Sequence, residues 1–198
     1  MLGYMERKYG EVFIAKESYA GQFGRDYTML KVQSLNRKID GILVRAVKKE
    51  NGISYQDNYL AYLLREQVVQ KVREAADEIL GRYKVFYKIP EMVFPEEFPA
   101  DMEVDAFLRH PHSMIKIYFY IKNIPENPKE QFERLLLAFQ QKGYIMGGVL
   151  SYPRDIRAYQ MINDENFTRD IYLGYQYKEE AIFSMDEKGK LAYLEWKG

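Results

Sequence analysis

The stretch 57–81, DNYLAYLLREQVVQKVREAADEILG, decides the fold class because it is the clearest long segment with a helical period. Its apolar residues recur at three- and four-residue spacing, and polar residues fill the other face. Asp57 or Asn58 can cap the amino end, and Gly81 suits the position after a helix. We therefore predict one amphipathic helix. Its apolar stripe is Leu60, Leu63, Leu64, Val68, Val72, Ala75, Ala76 and Ile79.

Short alternating segments flank this helix. Before it we predict a helix over Leu2–Tyr9 that ends at Gly10, because glycine favours the left-handed position after a helix. Strands are then predicted over Glu11–Ser18, Tyr27–Gln33, Ile42–Lys48 and Arg82–Ile89. The dipeptide Asn51–Gly52 favours a hairpin turn after the third of these segments.

The second half of the sequence repeats this mixture of strands and one helix. Asn127, Pro128 and Glu130 form a typical helix start, and Gly143 marks the end. Gly147 and Gly148 lie in an apolar segment and indicate a bulge or a close approach of strands. The predicted strands are Met114–Lys122, Tyr144–Tyr152, Arg157–Ile162, Ile171–Tyr177, Ala181–Met185 and Leu191–Trp196, the last two as a hairpin.

The predicted order is α-β-β-β-α-β followed by β-α-β-β-β-β, with the two strands of the closing hairpin counted as one element. Runs of strands with single helices are typical of an α+β fold with mostly antiparallel sheets and one main amphipathic helix per lobe. We assign 1–90 to a first lobe and 114–198 to a second, and we expect the two to share a core. The proline-rich 91–113 is predicted to cross between them as an irregular segment.

Composition excludes several classes of function. The chain of 198 residues has formal net charge zero, which argues against a nucleic-acid partner. It has no cysteine, which excludes disulfides, thiol nucleophiles and zinc–thiolate sites. No apolar run approaches the length of a transmembrane helix, about 18 residues. The first residues lack the pattern of a signal peptide.

The two histidines of the chain lie close together in the sequence, at His110 and His112, after the acidic residue Asp105. Imidazoles and carboxylates bind divalent metals where thiolates are missing, and a histidine can act as a general base. We therefore consider a metal site formed by these three residues. The alternative is a plain exposed loop.

Two other groups of residues are candidates for binding. Tyr118 and Tyr120 share one face of a predicted strand, and an exposed tyrosine face suits protein or glycan recognition. The alternative is that a helix covers this face and the tyrosines belong to the core. Arg154 and Arg157 can bind a carboxylate or phosphate with two hydrogen bonds, or they can decorate a solvated turn.

Two short motifs carry a resemblance. The segment 8–13, KYGEVF, ends the first predicted helix, and the triplet 57–59, DNY, opens the long one. This pattern resembles an uncharacterised module of secreted or lipid-anchored proteins of Gram-positive bacteria, over roughly the first ninety residues. The resemblance implies an extracellular or envelope-anchored protein if a signal peptide precedes this sequence, and a cytoplasmic one otherwise. It implies no catalytic residue and no cofactor.

From these observations we expect a non-enzymatic envelope or secreted binding protein whose partner is a protein or a glycan at the cell surface. No phosphate-binding loop or nucleophile motif is present in the sequence. Two alternatives stay open: a metal-dependent hydrolase that uses His110 and His112, and a cytosolic protein of the immunity type that binds a partner. The oligomeric state is left open.

Overall fold

A computed structural model describes residues 1–19, 27–168 and 177–198. It confirms the α+β class, with two sheets rich in antiparallel pairs and several helices. Contacts divide the chain into two compact units. The first contains Met1–Leu64 and Pro90–Glu103, and the second contains Arg65–Ile89 and Val104–Gly198. This division places 65–89 in the second unit, whereas the sequence suggested a first lobe that extends to residue 90.

The first unit is an antiparallel meander with two helices. Strand order is β1-β2-β3-β4. The elements are α1 (Leu2–Tyr9), β1 (Phe13–Tyr19), β2 (Tyr27–Ser34), β3 (Ile39–Lys49), β4 (Gly52–Asp57) and α2 (Tyr59–Leu63). Gly10 adopts φ 66° and ends α1 as expected. Strand β4 was not predicted, although the Asn51–Gly52 turn that precedes it was.

The second unit is a five-stranded sheet with the order β5-β6-β7-β8-β9. All pairs are antiparallel except β6 and β7, which α5 connects. The elements are α3 (Arg65–Ala76), β5 (Tyr83–Tyr87), α4 (Val104–Arg109), a 3-10 turn (Pro111–Ser113), β6 (Lys116–Ile121), α5 (Pro128–Lys142), β7 (Gly147–Pro153), α6 (Ile156–Met161), β8 (Tyr177–Met185) and β9 (Leu191–Lys197).

Three sequence predictions are corrected. The predicted single helix over 57–81 is two helices, α2 and α3, which are separated at Leu64. The predicted strand Arg157–Ile162 is the helix α6, because the Asp155 side chain caps it by accepting the Ala158 N–H at 2.8 Å. The second half of the crossing segment is helical rather than irregular. The predicted strand Ile171–Tyr177 lies outside the described residues, apart from Tyr177.

Other sequence signals are confirmed by local geometry. Asn127 caps α5 by accepting the Glu130 N–H at 3.2 Å, and Gly143 ends it at φ 70°. Gly148 marks a close approach of strands, since a Cβ there would lie 2.0 Å from the Ile117 carbonyl oxygen. These features position β7 between β6 and β8 in the second sheet.

Candidate functional site

A buried carboxylate lies at the end of β4 in the first unit. Asp57 is 3% exposed, and four donors converge on it. Its Oδ2 accepts from the Tyr4 hydroxyl at 2.9 Å and from Lys8 Nζ at 2.7 Å. Its Oδ1 accepts from the Tyr9 hydroxyl at 2.7 Å and from the Tyr59 N–H at 2.9 Å. A buried charge is stable only when it is paired and hydrogen-bonded, and Asp57 meets both conditions.

Lys8 supplies the opposite charge and is itself buried, with a side chain 9% exposed. Its Nζ also donates to the Tyr4 hydroxyl at 2.9 Å. The ammonium lies 5.3 Å from the ring centroid of Tyr4 and 5.1 Å from that of Tyr9, within the range of cation–π attraction. Lys8 therefore uses two of its three N–H donors within the network.

A second carboxylate, Glu11, extends the network across the sheet. It accepts from the Tyr59 hydroxyl at 2.6 Å, from the Ser34 hydroxyl at 2.7 Å and from Arg37 Nε at 2.6 Å. The ring of Tyr59 also meets Phe13 edge-on at 5.3 Å. The two short motifs of the sequence, KYGEVF and DNY, therefore meet in one cluster, although 48 residues separate Glu11 from Tyr59.

The environment keeps the tyrosines of this cluster protonated. Burial, and then the charge of Asp57, raise the pKa of Tyr9 and of Tyr4 well above the ordinary range. Burial and the hydrogen bond to Glu11 raise the pKa of Tyr59 to about 12. Burial alone would raise the pKa of Glu11, but the hydrogen bonds from Tyr59, Ser34 and Arg37 outweigh it and lower that pKa. The hydroxyls therefore act as fixed donors to carboxylates.

The same motif holds the irregular segment 90–103 against the first sheet. Asn58 accepts the Leu43 N–H through Oδ1 at 2.8 Å and donates to the Pro90 carbonyl through Nδ2 at 2.9 Å. The Phe94 N–H donates to the Asp57 carbonyl at 3.2 Å. Gln56 donates to the Pro95 carbonyl through Nε2. Polar groups at the end of β4 thus fix a loop that has no regular structure of its own.

An open cavity of about 480 Å³ lies where this loop passes Lys8. Lys8 is the buried polar group in its wall. The rest of the lining comes from the loop residues Glu97, Phe98, Pro99, Ala100 and Asp101. Glu97 lies close enough to the Tyr4 hydroxyl to contribute to its raised pKa. We call this cavity, together with the Asp57 cluster that Lys8 joins, the Lys8 site.

The predicted tyrosine face is core rather than surface. Tyr118 is 3% exposed and Tyr120 is 1% exposed. Both rings pack in an aromatic cluster of the second unit, where Phe167 lies 5.3 Å from Tyr118, edge-on. The Tyr120 hydroxyl donates to the Phe167 carbonyl. The cover over this face comes from the region of α6 and the turn after it, where the sequence favoured a strand.

Arg154 and Arg157 are both exposed at the amino end of α6. Arg154 follows β7, and Arg157 lies in the first turn of the helix. The residue that structures this turn is Asp155, through its cap to Ala158. A role of the two arginines in binding an anion stays a prediction.

The proposed metal ligands take different positions in the second unit. His110 precedes the 3-10 turn, and its Nδ1 accepts the His112 N–H at 3.2 Å. The two imidazoles lie 5.7 Å apart between ring centroids. Asp105 instead accepts from the Tyr144 hydroxyl at 2.8 Å and pairs with Lys71 at 3.1 Å. Hydrogen bonds from Tyr144 and Lys71 lower the pKa of Asp105. Metal binding by the histidines stays a prediction.

Sequence reasoning missed the Asp57 cluster as a site, although it singled out the residues. It assigned Asp57 or Asn58 to a helix cap and the aromatic residues to packing. In the structure Asn58 precedes α2 without a side-chain cap, and its amide bridges β3 and the loop. The available signal was the joint occurrence of a lysine, a glutamate and an aspartate in two short motifs that also carry Tyr9, Phe13 and Tyr59.

The geometry defines an α+β protein with two antiparallel-rich sheets, and comparison with known proteins adds one similar structure. No protein-family model and no curated protein matches the sequence. Among solved structures the chain is similar to a DUF5037 family protein from Ruminococcus gnavus, at 15% identity and a TM-score of 0.47, over 97% of this chain and 92% of that one. No helix in the described ranges has the length and apolar character required to cross a bilayer.

Proposed function

We propose that this chain is a non-enzymatic binding protein of the envelope or the secreted fraction of a Gram-positive bacterium. The observation that supports it most is the way residues 56–58 hold segment 90–103. Asn58, Gln56 and the Asp57 backbone fix that segment at Pro90, Pro95 and Phe94. A loop that a rigid scaffold positions is where binding residues concentrate.

The polar atoms of the two motifs support binding rather than catalysis. Asp57 and Glu11 accept hydrogen bonds from tyrosine hydroxyls whose pKa is raised, so these hydroxyls are not suited to exchange protons near neutral pH. The Asp57 carboxylate joins α1 to the end of β4, and Glu11 joins α2 to the end of β2. What the loop presents to solvent is a set of charged and apolar side chains, among them Glu97, Asp101 and Met92, the last 61% exposed.

The envelope assignment rests on the resemblance of the two motifs to the Gram-positive module. The test is to fractionate the cells that produce the protein and to treat intact cells with protease. Detection in the envelope or medium, with loss after protease treatment, is the expected result. Recovery only from the cytosol contradicts the envelope assignment and favours the partner-binding protein of the immunity type.

Binding itself is tested with purified protein and isolated envelopes. Co-sedimentation that saturates with protein concentration is expected. Turnover of a small substrate by the purified protein contradicts the non-enzymatic assignment. Substitution of exposed loop residues should reduce co-sedimentation, and substitution of exposed residues in the β3–β4 turn should not.

A further inference from the structure

We infer that the Lys8 site binds an uncharged saccharide, an inference that rests on the proposed binding function and names its ligand class. The cavity offers a ligand one charged hydrogen-bond donor. Lys8 uses two N–H donors on Tyr4 and Asp57 and lies in the wall of the cavity, which leaves a third donor for a ligand. A ligand therefore needs an acceptor at this point.

Two carboxylates of the loop also line the cavity. Glu97 and Asp101 are exposed carboxylates on the loop, and ionised carboxylates only accept hydrogen bonds. A ligand therefore needs donors for these carboxylates. Because a hydroxyl group both donates and accepts, a polyhydroxylated ligand satisfies both requirements at once.

Charge decides against anionic ligands. The lining contributes one cation, Lys8, and that cation is already neutralised by Asp57 at 2.7 Å. The two carboxylates of the loop then make the surroundings of the cavity net negative. A phosphate or a carboxylate would be repelled by this potential, whereas a neutral ligand would not.

Apolar surface completes the site. Phe98, Pro99 and Ala100 line the cavity, and the ring of Phe98 lies 4.7 Å from that of Phe94. The C–H face of a sugar ring can pack on such a surface. The volume of about 480 Å³ falls within the range of ligand pockets and is sufficient for one or two sugar units.

The experiment uses the whole chain and an array of neutral oligosaccharides built from hexoses and N-acetylhexosamines. We expect the protein to retain some of these, and a Glu97→Gln, Asp101→Asn double variant to bind them at least roughly tenfold more weakly, because each charged acceptor strengthens a hydrogen bond. The matched control, Glu50→Gln with Glu126→Gln, removes the same charge from two exposed positions elsewhere and should bind like the wild type. Thermal unfolding verifies that all variants fold.

Failure to bind any of these oligosaccharides, or equal binding by the double variant, overturns the inference. Envelope co-sedimentation distinguishes this failure from failure of the proposed function. If periodate treatment of the envelopes abolishes binding and protease treatment does not, the saccharide inference is supported. If protease abolishes it and periodate does not, the ligand is a protein, so the inference is overturned while the binding function stands.

Discussion

The two units differ in what surrounds their buried tyrosines. In the first unit Tyr4, Tyr9 and Tyr59 direct their hydroxyls at carboxylates, within a cluster that also buries a lysine. In the second unit the rings of Tyr118 and Tyr120 pack among other aromatic residues, and the Tyr120 hydroxyl donates to a backbone carbonyl. The buried Tyr87 hydroxyl has no hydrogen-bond partner among the described residues. A largely buried ion pair therefore organises the tyrosines of the first unit, whereas ring packing and a neutral hydrogen bond surround Tyr118 and Tyr120.

The largest expected effect tests the ion pair between Lys8 and Asp57 in the first unit. Asp57→Asn leaves the buried Lys8 ammonium without its counter-charge, so the free energy of unfolding should fall by about 3–5 kcal/mol. Denaturant unfolding measures it. The matched control is Asp164→Asn, which removes an exposed partner of Arg65 and should change stability by less than about 0.5 kcal/mol. Equal effects of the two substitutions would show that the Asp57 cluster does not specify the first unit.

The second-largest expected effect tests the tight packing of β6 against β7 in the second unit. Gly148→Ala would place a methyl group 2.0 Å from the Ile117 carbonyl oxygen, on backbone that the sheet holds in place. We expect a loss of about 3 kcal/mol, at the upper end of the usual cost of overpacking. Gly81→Ala is the control, because a Cβ there meets nothing within 4 Å. A Gly148→Ala protein with wild-type stability would contradict the close approach of β6 and β7.

A pair of identical substitutions compares the units directly. Tyr9→Phe removes a donor from a charged acceptor and should cost about 1.5–2 kcal/mol. Tyr87→Phe removes a buried hydroxyl without a described partner and should be neutral or stabilise by up to about 1 kcal/mol. Chemical denaturation of both variants gives the sign of each change in the free energy of unfolding. A large loss from Tyr87→Phe would reveal a bound water or ligand at that hydroxyl.

The smallest expected effect concerns pH. The pKa of Glu11 is lower in the folded protein than its ordinary value of 4.5, so the stability it contributes is present above pH 4.5 and is lost as the pH falls through the folded value. Glu11→Gln should therefore be less stable than the wild type at pH 7, with a difference that shrinks in acid. Glu50→Gln serves as the control. A difference independent of pH between pH 7 and pH 3 contradicts the linkage.

These comparisons also explain what the sequence could reveal. Local signals predicted α5 and the β8–β9 hairpin, because a cap such as Asn127 and a turn such as 186–189 act over a few residues. The strand predicted over Arg157–Ile162 was wrong because a single capping residue, Asp155, outweighs an apolar pattern too short to indicate its period.

The Asp57 cluster was beyond local reasoning. Lys8 and Asp57 are 49 residues apart, and their meeting depends on how the meander of β1 to β4 returns to α1. Sequence alone assigned Asp57 or Asn58 to a cap, which is the common role of these residue types before a helix. The placement of Tyr118 and Tyr120 in the core likewise depended on α6, the element that the pattern misassigned.

The division of the chain into units has a consequence for synthesis. The first unit is discontinuous, since its last part, Pro90–Glu103, follows 25 residues that belong to the second. The side chains of Asn58 and Gln56 can therefore form their hydrogen bonds to the carbonyls of Pro90 and Pro95 only after those residues have been synthesised. Domains generally fold as units while the ribosome synthesises the chain, at about 5–20 residues per second. A ribosome that has released only the first 64 residues therefore exposes a meander that lacks its last segment, and the first unit can close only after residue 103 has emerged.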